Sequence, residues 1–327
     1  MILVTGGAGY IGSHCVLVLQ NAGYKVVVFD NLESGHKAVI GNTAFVQGDL
    51  KNPQDILRVF EQYKIDAVIH FAAKIEVAES IIDPQKYYYN NVYGTLNLLS
   101  AMTAYNVNKI IFSSTAAVYG EPQYLPLDEN HPKNPINTYG MTKLTVENIL
   151  DDYDRAYGLK SVRFRYFNVA GADVRGRTGE WHEPETHLIP NILKSAFTGG
   201  KVFEMYGDDY NTKDGTCIRD YVNVEDLAQA HVLGLKYLLN GGKTDCFNLG
   251  TKDGNSVKEV FALCEKITGK GIPVKIHPRR PGDAAVLVAD NAKAKEVLGW
   301  LPMRTLEDSV KTAYEWERSL QRRPVHA

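Results

Sequence analysis

The chain has 327 residues, room for one large core or two fused domains at the usual size of roughly 100–200 residues each. Apolar residues make up 44% and charged ones 23%, with 36 Lys and Arg against 38 Asp and Glu and no long block of either sign, which excludes a disordered chain and offers nothing to recruit nucleic acid or an anionic membrane. Cys15, Cys217, Cys246 and Cys264 are scattered with neither metal nor disulfide spacing, and no apolar run approaches the roughly 20 residues of a membrane span, so buried thiols, no metal centre and a cytoplasmic location are expected.

Strand and helix patterns alternate through the first half. The run "ILVT" (2–5) reads as a strand and leads into "VTGGAGYIG" (4–12), whose glycines open a helix. "KVVVFD" (25–30) and "AFVQGD" (44–49) are the next strands, a helix begins near Pro53, and "DAVIHF" (66–71) is the fourth strand. "YYYNNVYGTLNLLSAM" (87–102) is expected as one helix, followed by "KIIFSS" (109–114). A helix opening at "NTYGMTK" (137–143) carries Val146, Ile149, Leu150, Tyr153 and Tyr157 on one stripe and stops at Gly158, followed by "SVRFRYF" (161–167). Continuous β-branched runs suit parallel strands buried on both faces. The expected fold is therefore α/β, a Rossmann-type doubly wound parallel sheet.

Beyond residue 170 the texture changes to Gly-, Asp- and Thr-rich stretches at 171–187 and 206–216, long enough to be binding loops. Helical patterns return at 224–240, 256–268 and 305–319, the second opened by a Ser256/Glu259 capping box. The expected division is a dinucleotide-binding domain over 1–169, with 220–248 returning to it, and a smaller substrate-binding lobe from 170–219 and 249–327.

Gly6, Gly9 and Gly12 stand where a turn must approach a pyrophosphate at a helix terminus, and Asp30 ends the second strand eighteen residues after Gly12, placed to accept from an adenosine ribose hydroxyl. A carboxylate there repels a 2′-phosphate, and "NLESG" supplies no arginine to hold one, so NAD is favoured over NADP. Asp49, in "GDL", is either a ligand of the adenine edge or a strand-end turn acid. Tyr139 and Lys143 stand at i and i+4 on one helix face, where a fixed cation favours the phenolate. Ser113, Ser114 and Thr115 end the fifth strand, on the edge that faces the ligand crevice.

"TGGAGYIGSH", "HFAA", "NNVYGTLNLLSAM", "FSSTAAVYG", "TYGMTK", "RYFNVAGA", "IRDYVNVEDLAQAH" and "RRPGDAAVLVAD" run in an order and spacing that resembles the extended branch of the short-chain dehydrogenases/reductases, and within it the UDP-glucose 4-epimerases, over essentially the whole chain. The resemblance implies that Tyr139 is the acid/base, that Lys143 binds the nicotinamide ribose and lowers the tyrosine pKa, and that Thr115, with Ser114 as second choice, hydrogen-bonds the reacting sugar oxygen. It implies NAD contacts from Gly6, Gly9, Tyr10, Ile11, Gly12, Asp30, Asn31, Asp49, Leu50, Phe71, Ala72, Ala73, Asn90, Ser113, Tyr139, Lys143 and Tyr166. Thr115, Asn168, His187, Leu188, Tyr206, Arg219, Tyr221, Arg280, Asp283 and Leu287 match positions around the UDP-sugar. Singly, each arginine is more commonly a surface or ion-pair residue, and Asn90 could instead serve the core.

The implied reaction passes through a 4-keto sugar that turns over before hydride and proton return, interconverting UDP-galactose and UDP-glucose, with UDP-N-acetylhexosamines as weaker substrates. A homodimer through the helices of "NNVYGTLNLLSAM" (90–102) and "YGMTKLTVENIL" (139–150) is also implied. Lys74 departs from the pattern, standing one place before the lysine of some members, and is left out of the site. A 4,6-dehydratase needs an acid pair after the strand-end threonine, where "TAA" (115–117) has alanines. A sugar decarboxylase, a sugar reductase and a non-catalytic dinucleotide sensor are the rival functions that the same motifs allow.

Overall fold

Residues 1–197, 202–280 and 283–322 are described by the structure, a computed structural model; Pro281 and Gly282 of the "RRPGD" motif lie outside them. In chain order the first half contains β1 (Ile2–Thr5), α1 (Tyr10–Asn21), β2 (Val26–Asp30), β3 (Ala44–Gln47), α2 (Pro53–Gln62), β4 (Ala67–His70), α3 (Val77–Ile82), α4 (Pro84–Tyr87), a π-helical turn (Tyr88–Tyr93), α5 (Gly94–Ala104), β5 (Lys109–Thr115), α6 (Thr138–Tyr157), β6 (Lys160–Tyr166) and β7 (Asn168–Ala170). The second half contains α7 (Leu188–Phe197), β8 (Phe203–Tyr206), β9 (Ile218–Asn223), α8 (Val224–Leu239), β10 (Asp245–Leu249), β11 (Gly254–Ser256), α9 (Val257–Thr268), β12 (Val274–His277), β13 (Val286–Leu287), α10 (Ala292–Leu298) and α11 (Leu306–Gln321).

Among the described residues, seven parallel strands form one sheet in the order β10, β6, β5, β4, β1, β2, β3. Alternate side chains of each strand enter opposite layers. Ile2, Val4, Val28, Ile69 and Phe164 face the layer that contains Val16 and Leu19 of α1 and Leu227 and Leu235 of α8. Leu3, Val27, Phe29, Val68 and Ile110 face Ile56 and Val59 of α2, Leu98 and Met102 of α5 and Val146 and Leu150 of α6. The strand order reverses between β1 and β4, so the crevice for a ligand opens at their carboxyl ends.

A smaller assembly is organised around β9, which pairs with β7 and β13 in parallel and with β11 antiparallel; β8 and β12 form a separate pair. Helices α7, α9 and α11 cover it through Ile192, Leu193, Val260, Cys264 and Val310. No described helix is long and apolar enough to cross a membrane.

Three expectations need correction. The 87–102 segment is not one α-helix: Tyr88–Tyr93 is a π turn. Its residue Asn91 is buried and hydrogen-bonds the Lys74 backbone at both N–H (2.8 Å) and C=O (3.0 Å), a tertiary tie that no apolar period reports. Tyr157, on the expected stripe of α6, is 61% exposed because it occupies the last helical position before Gly158, whose φ of +67° ends the helix. Cys246 is half-buried, unlike the other three cysteines, because it lies on the edge strand β10.

Helix α6 is fixed at its start by Asn137, whose side chain accepts the Gly140 N–H at 2.8 Å. Deeper in, Glu147 is fully buried, accepts Ser114 Oγ–H at 2.6 Å, and takes two hydrogen bonds from the Arg165 guanidinium at 2.9 and 2.6 Å. Burial opposes ionisation, yet the hydrogen bonds and charge of Arg165 hold the Glu147 carboxyl below its ordinary value. Removing one member of so buried a pair strands the other. Glu147→Ala is therefore expected to cost about 3–5 kcal/mol, against about 1–3 kcal/mol for Ser114→Ala. Urea denaturation of both variants measures this, and equal small losses would show that the pair does not hold the helix.

Candidate active site

At the mouth of the crevice the turn after β1 is built from close backbone contacts. A Cβ at Gly6 (φ +71°) would stand 2.5 Å from the Ala72 nitrogen, and one at Gly12 would stand 2.2 Å from the Gly6 carbonyl oxygen. Only glycine fits at either position, which draws α1 onto the end of β1 and β4. Gly9 is the N-cap of α1 and provides no side-chain cap, so the helix's first N–H groups are left for an anion in the crevice. Phe71 and Ala72 both donate their N–H to the Thr5 carbonyl, at 2.9 and 3.2 Å.

Asp30 ends β2 beneath this turn, accepting Ala8 N–H (3.0 Å) at Oδ2 and Leu32 N–H (2.8 Å) at Oδ1. Burial raises its pKa above the ordinary carboxyl value. Each oxygen keeps a lone pair for a vicinal diol. Asn31 donates to Asp49 Oδ2 at 3.2 Å, while Asp49 Oδ1 accepts Lys51 N–H at 2.8 Å and Leu50 is buried below. Asp49 is thus a turn acid, and it is half-buried. An uncapped helix start, two glycines that exclude any Cβ and a carboxylate at the end of β2 suit a dinucleotide that lacks a 2′-phosphate.

Thr115 closes β5 and Tyr139 and Lys143 open α6 opposite it. Lys143 is 2% exposed, donates to the Ser113 carbonyl at 2.7 Å, and lies 4.9 Å from the Phe112 ring centre and 5.8 Å from that of Tyr139. Burial pushes the Tyr139 phenol up to about 12, partly offset by a hydrogen bond from Thr115 and reinforced by the charge of Glu76. Burial also pulls the Lys143 ammonium down to about 7. Desolvation is therefore the dominant influence on both groups. A positive charge placed beside Tyr139 would favour its phenolate.

The strand's alternation separates the three hydroxyls. Ser113 Oγ hydrogen-bonds Tyr166 OH, Ser114 points the other way into the Glu147–Arg165 pair, and Thr115 accepts Ala117 N–H at 3.2 Å while meeting Tyr139. Ser114 is spent on structure. Asn90 donates to the Asn91 side chain at 3.0 Å, and Lys74 is held by Glu33 and by Asn91, away from Tyr139.

Around β9 the distant sequence segments converge. Asn168 pairs with Tyr221 across β7 and β9, and Leu287 pairs with Arg219 across β13 and β9. The Arg219 guanidinium donates to the Ile218 and Ala284 carbonyls at 3.0 and 2.7 Å and lies 3.7 Å from Asp283. Arg280 stacks 4.1 Å above the Tyr206 ring. Leu287 packs against the Ala116, Val118, Tyr119 and Leu127 group that begins one residue after Thr115, which joins this cluster to the Tyr139 side. Leu188 opens α7, and the preceding His187 is hydrogen-bonded to Glu180 through Nδ1.

Two features were not read from the sequence. Asn91 rather than Asn90 ties the π turn to the segment after β4; only the doubled asparagine hinted at it. Glu147 continues the spacing of Tyr139 and Lys143 by four more residues, a pattern that marks one inward face and could have exposed the buried pair.

Residues 3–313 match the family model described as GDP-mannose 4,6 dehydratase. The chain is 51% identical over 320 residues to a UDP-glucose 4-epimerase of Lactobacillus helveticus, covering 97% of both chains. It superposes with a TM-score of 0.94 on the UDP-glucose 4-epimerase of Brucella ovis in complex with NAD, 47% identical and covering 97% of this chain and 98% of the other. The corresponding enzyme of Bifidobacterium longum in complex with NAD+ and UDP gives a TM-score of 0.93 at 41% identity, with the same two coverages.

The buried lysine makes stability depend on pH. An unfolded lysine titrates near ~10.4, whereas Lys143 titrates at about 7 when folded. Between those values the unfolded chain holds the proton and the folded chain does not, so this group makes stability rise with pH, at up to ~1.4 kcal/mol per unit. In ligand-free protein the stability of the wild type relative to Lys143→Met should increase from about pH 7 to about pH 9. Denaturation at several pH values tests this; a pH-independent difference would show that the lysine stays charged in the fold.

Proposed function

The chain belongs to the family described as GDP-mannose 4,6 dehydratase, a branch of the extended short-chain dehydrogenases/reductases, and we propose that within it this chain is an isomerase that interconverts UDP-glucose and UDP-galactose with NAD as cofactor. The carrying observation is the meeting of Thr115, Tyr139 and Lys143 at the end of β5, followed by Ala116 and Ala117 where a dehydratase needs an acid and a base.

In this reading Thr115 orients the hydroxyl on carbon 4 of the hexose and Tyr139 takes and returns its proton. NAD, when bound, supplies the hydride acceptor and donor, and its oxidised ring adds the positive charge that favours the phenolate. Lys143 would hold the nicotinamide ribose, and Gly6, Gly9, Gly12 and Asp30 would hold the adenosine half. The UDP moiety is held by Asn168, Leu188, Arg219, Tyr221, Arg280 and Asp283, with His187 and Tyr206 beside them. Two arginines from distant segments suit a diphosphate. Tight binding at the nucleotide and loose binding at the hexose let the 4-keto sugar turn and present its other face, so that the stereocentre inverts without net redox change.

The division of labour proposed with this places NAD on 1–169 and 220–248 and the UDP-sugar on 170–219 and 249–327. A homodimer through α5, α6 and the π turn is supported by the exposed, stacked Tyr89 and Tyr93 and the exposed Met141; a monomer in sedimentation equilibrium would remove it.

Incubation with UDP-galactose and catalytic amounts of enzyme, with no reductant added, should give UDP-glucose. A 4-keto-6-deoxy product, or none, would overturn the assignment. Tyr139→Phe should lower turnover by ~10² to 10⁴ with UDP affinity nearly unchanged. Near-normal turnover in that variant would take the proton transfer away from Tyr139.

Leu287 is expected to set the size of sugar accepted, since it is partly buried beside Ala116 and paired with Arg219. Leucine leaves room for weak turnover of the N-acetylhexosamine pair. Leu287→Tyr should abolish that activity and spare the glucose/galactose pair, read as kcat/KM for both; an unchanged ratio would show that Leu287 does not gate the hexose.

A further inference from the structure

The loop between β7 and α7 contains "EWHEPETH" (180–187), whose Glu180, His182, Glu185 and His187 turn their side chains to one point. One ligand atom from each lies within 4.8 Å of the other three. His182 Nδ1 is 3.4 Å from Glu180 Oε1 and 3.8 Å from Glu185 Oε1, and His187 Nδ1 is 3.7 Å from Glu185 Oε1. Those separations are long for hydrogen bonds. They come within about half an ångström of the ~3.3 Å edge of a tetrahedron whose ligand bonds are ~2.0–2.1 Å long. Of the three remaining edges, Glu180 to His187 is a hydrogen bond and has to open as its proton leaves, and the other two lie within 4.8 Å.

The surroundings are those of a built site. The side chains of Glu180 and Glu185 are only 7% and 3% exposed. His182 Nδ1 and Glu185 Oε2 are buried without a hydrogen-bond partner, and the nearest charges to them are the carboxylates at 3.4 and 3.8 Å from His182 Nδ1 and the Lys194 ammonium 3.8 Å from Glu185 Oε2, a costly arrangement for buried polar atoms. Glu185 Oε1 is oriented by the N–H groups of Thr186 and His187, both at 2.9 Å, and the Glu180 carbonyl accepts Trp316 Nε1–H of α11 at 2.8 Å. Trp181 stacks on His36, and Tyr10 at the start of α1 meets His182 edge-on.

We propose that Glu180, His182, Glu185 and His187 form a four-ligand site for a divalent transition cation, zinc by preference, that pins this loop between α1 and α11. Two imidazoles and two carboxylates match zinc's ligand preferences and neutralise its charge, and four protein ligands with no open position make the role structural. Ligation through Nδ1 leaves Nε2 of His187 as a fixed donor, which orients that ring without depending on any part it has in nucleotide binding. A metal-free set of carboxylate–imidazolium pairs is the competing arrangement.

The whole chain, prepared without a histidine tag and dialysed against metal-free buffer, should retain about one zinc by elemental analysis. Stripping with dipicolinate should lower the melting temperature, and added zinc should restore it. Cobalt(II) added to stripped protein should give the intense visible bands of a tetrahedral site, and His182→Ala/Glu185→Gln should lose both the zinc and those bands. Wild-type protein that retains no metal, shows no such bands with cobalt(II) and melts at the same temperature with and without zinc would overturn the proposal in favour of the ion-pair arrangement. The wild-type measurements decide this even if the double variant fails to fold.

Discussion

The buried pair of Glu147 and Arg165 is the contact on which the chemistry at the sheet edge rests. It joins α6 to β6 directly and to β5 through Ser114, and Arg165 passes the connection on through Tyr119 (3.0 Å) to Asn248 of β10 (2.6 Å). Two charges removed from water are expensive unless all their hydrogen-bonding positions are filled. Here they are largely filled, so the helix has one favourable position against the strands. Tyr139 and Lys143 lie two turns and one turn before Glu147 on that helix, and their distance from Thr115 is set by the same contact.

The alternation of β5 divides its three terminal hydroxyls between structure and chemistry. Ser114 joins the buried pair on one face, while Ser113 meets Tyr166 and Thr115 meets Tyr139 on the other. The same arrangement that anchors Lys143 on the Ser113 carbonyl strips water from it and from the phenol. Burial therefore disfavours the charged form of both groups.

The second assembly answers a different requirement. Strand β9 gathers Asn168, Arg219, Tyr221 and Leu287 from three strands, and the Leu287 contact with the Ala116 group carries the arrangement to the edge of β5. The cluster around β9 is thereby held in a fixed place relative to the end of β5.

Much of this was legible in the residues alone. The alternation of β-branched runs with helical stripes, the glycine turn with Asp30, the Tyr139/Lys143 spacing and the caps at Ser256 and Gly158 are local or periodic, and each is fixed by the backbone within a few residues. What the linear pattern did not carry was whatever depends on meeting a partner far along the chain. Ser114 and Thr115 look equivalent in sequence, and only the position of Glu147 and Arg165 tells them apart. Asn91 rather than Asn90 faces inward because a π turn interrupts a run whose apolar period looks unbroken. His187 reads as one residue of a binding loop until the fold of that loop brings Glu180, His182 and Glu185 around it. Local propensity and period are written residue by residue, but the pairing of buried polar groups is decided by which segments the tertiary structure brings together, since a buried charge or hydrogen-bonding atom is stable only beside its partner.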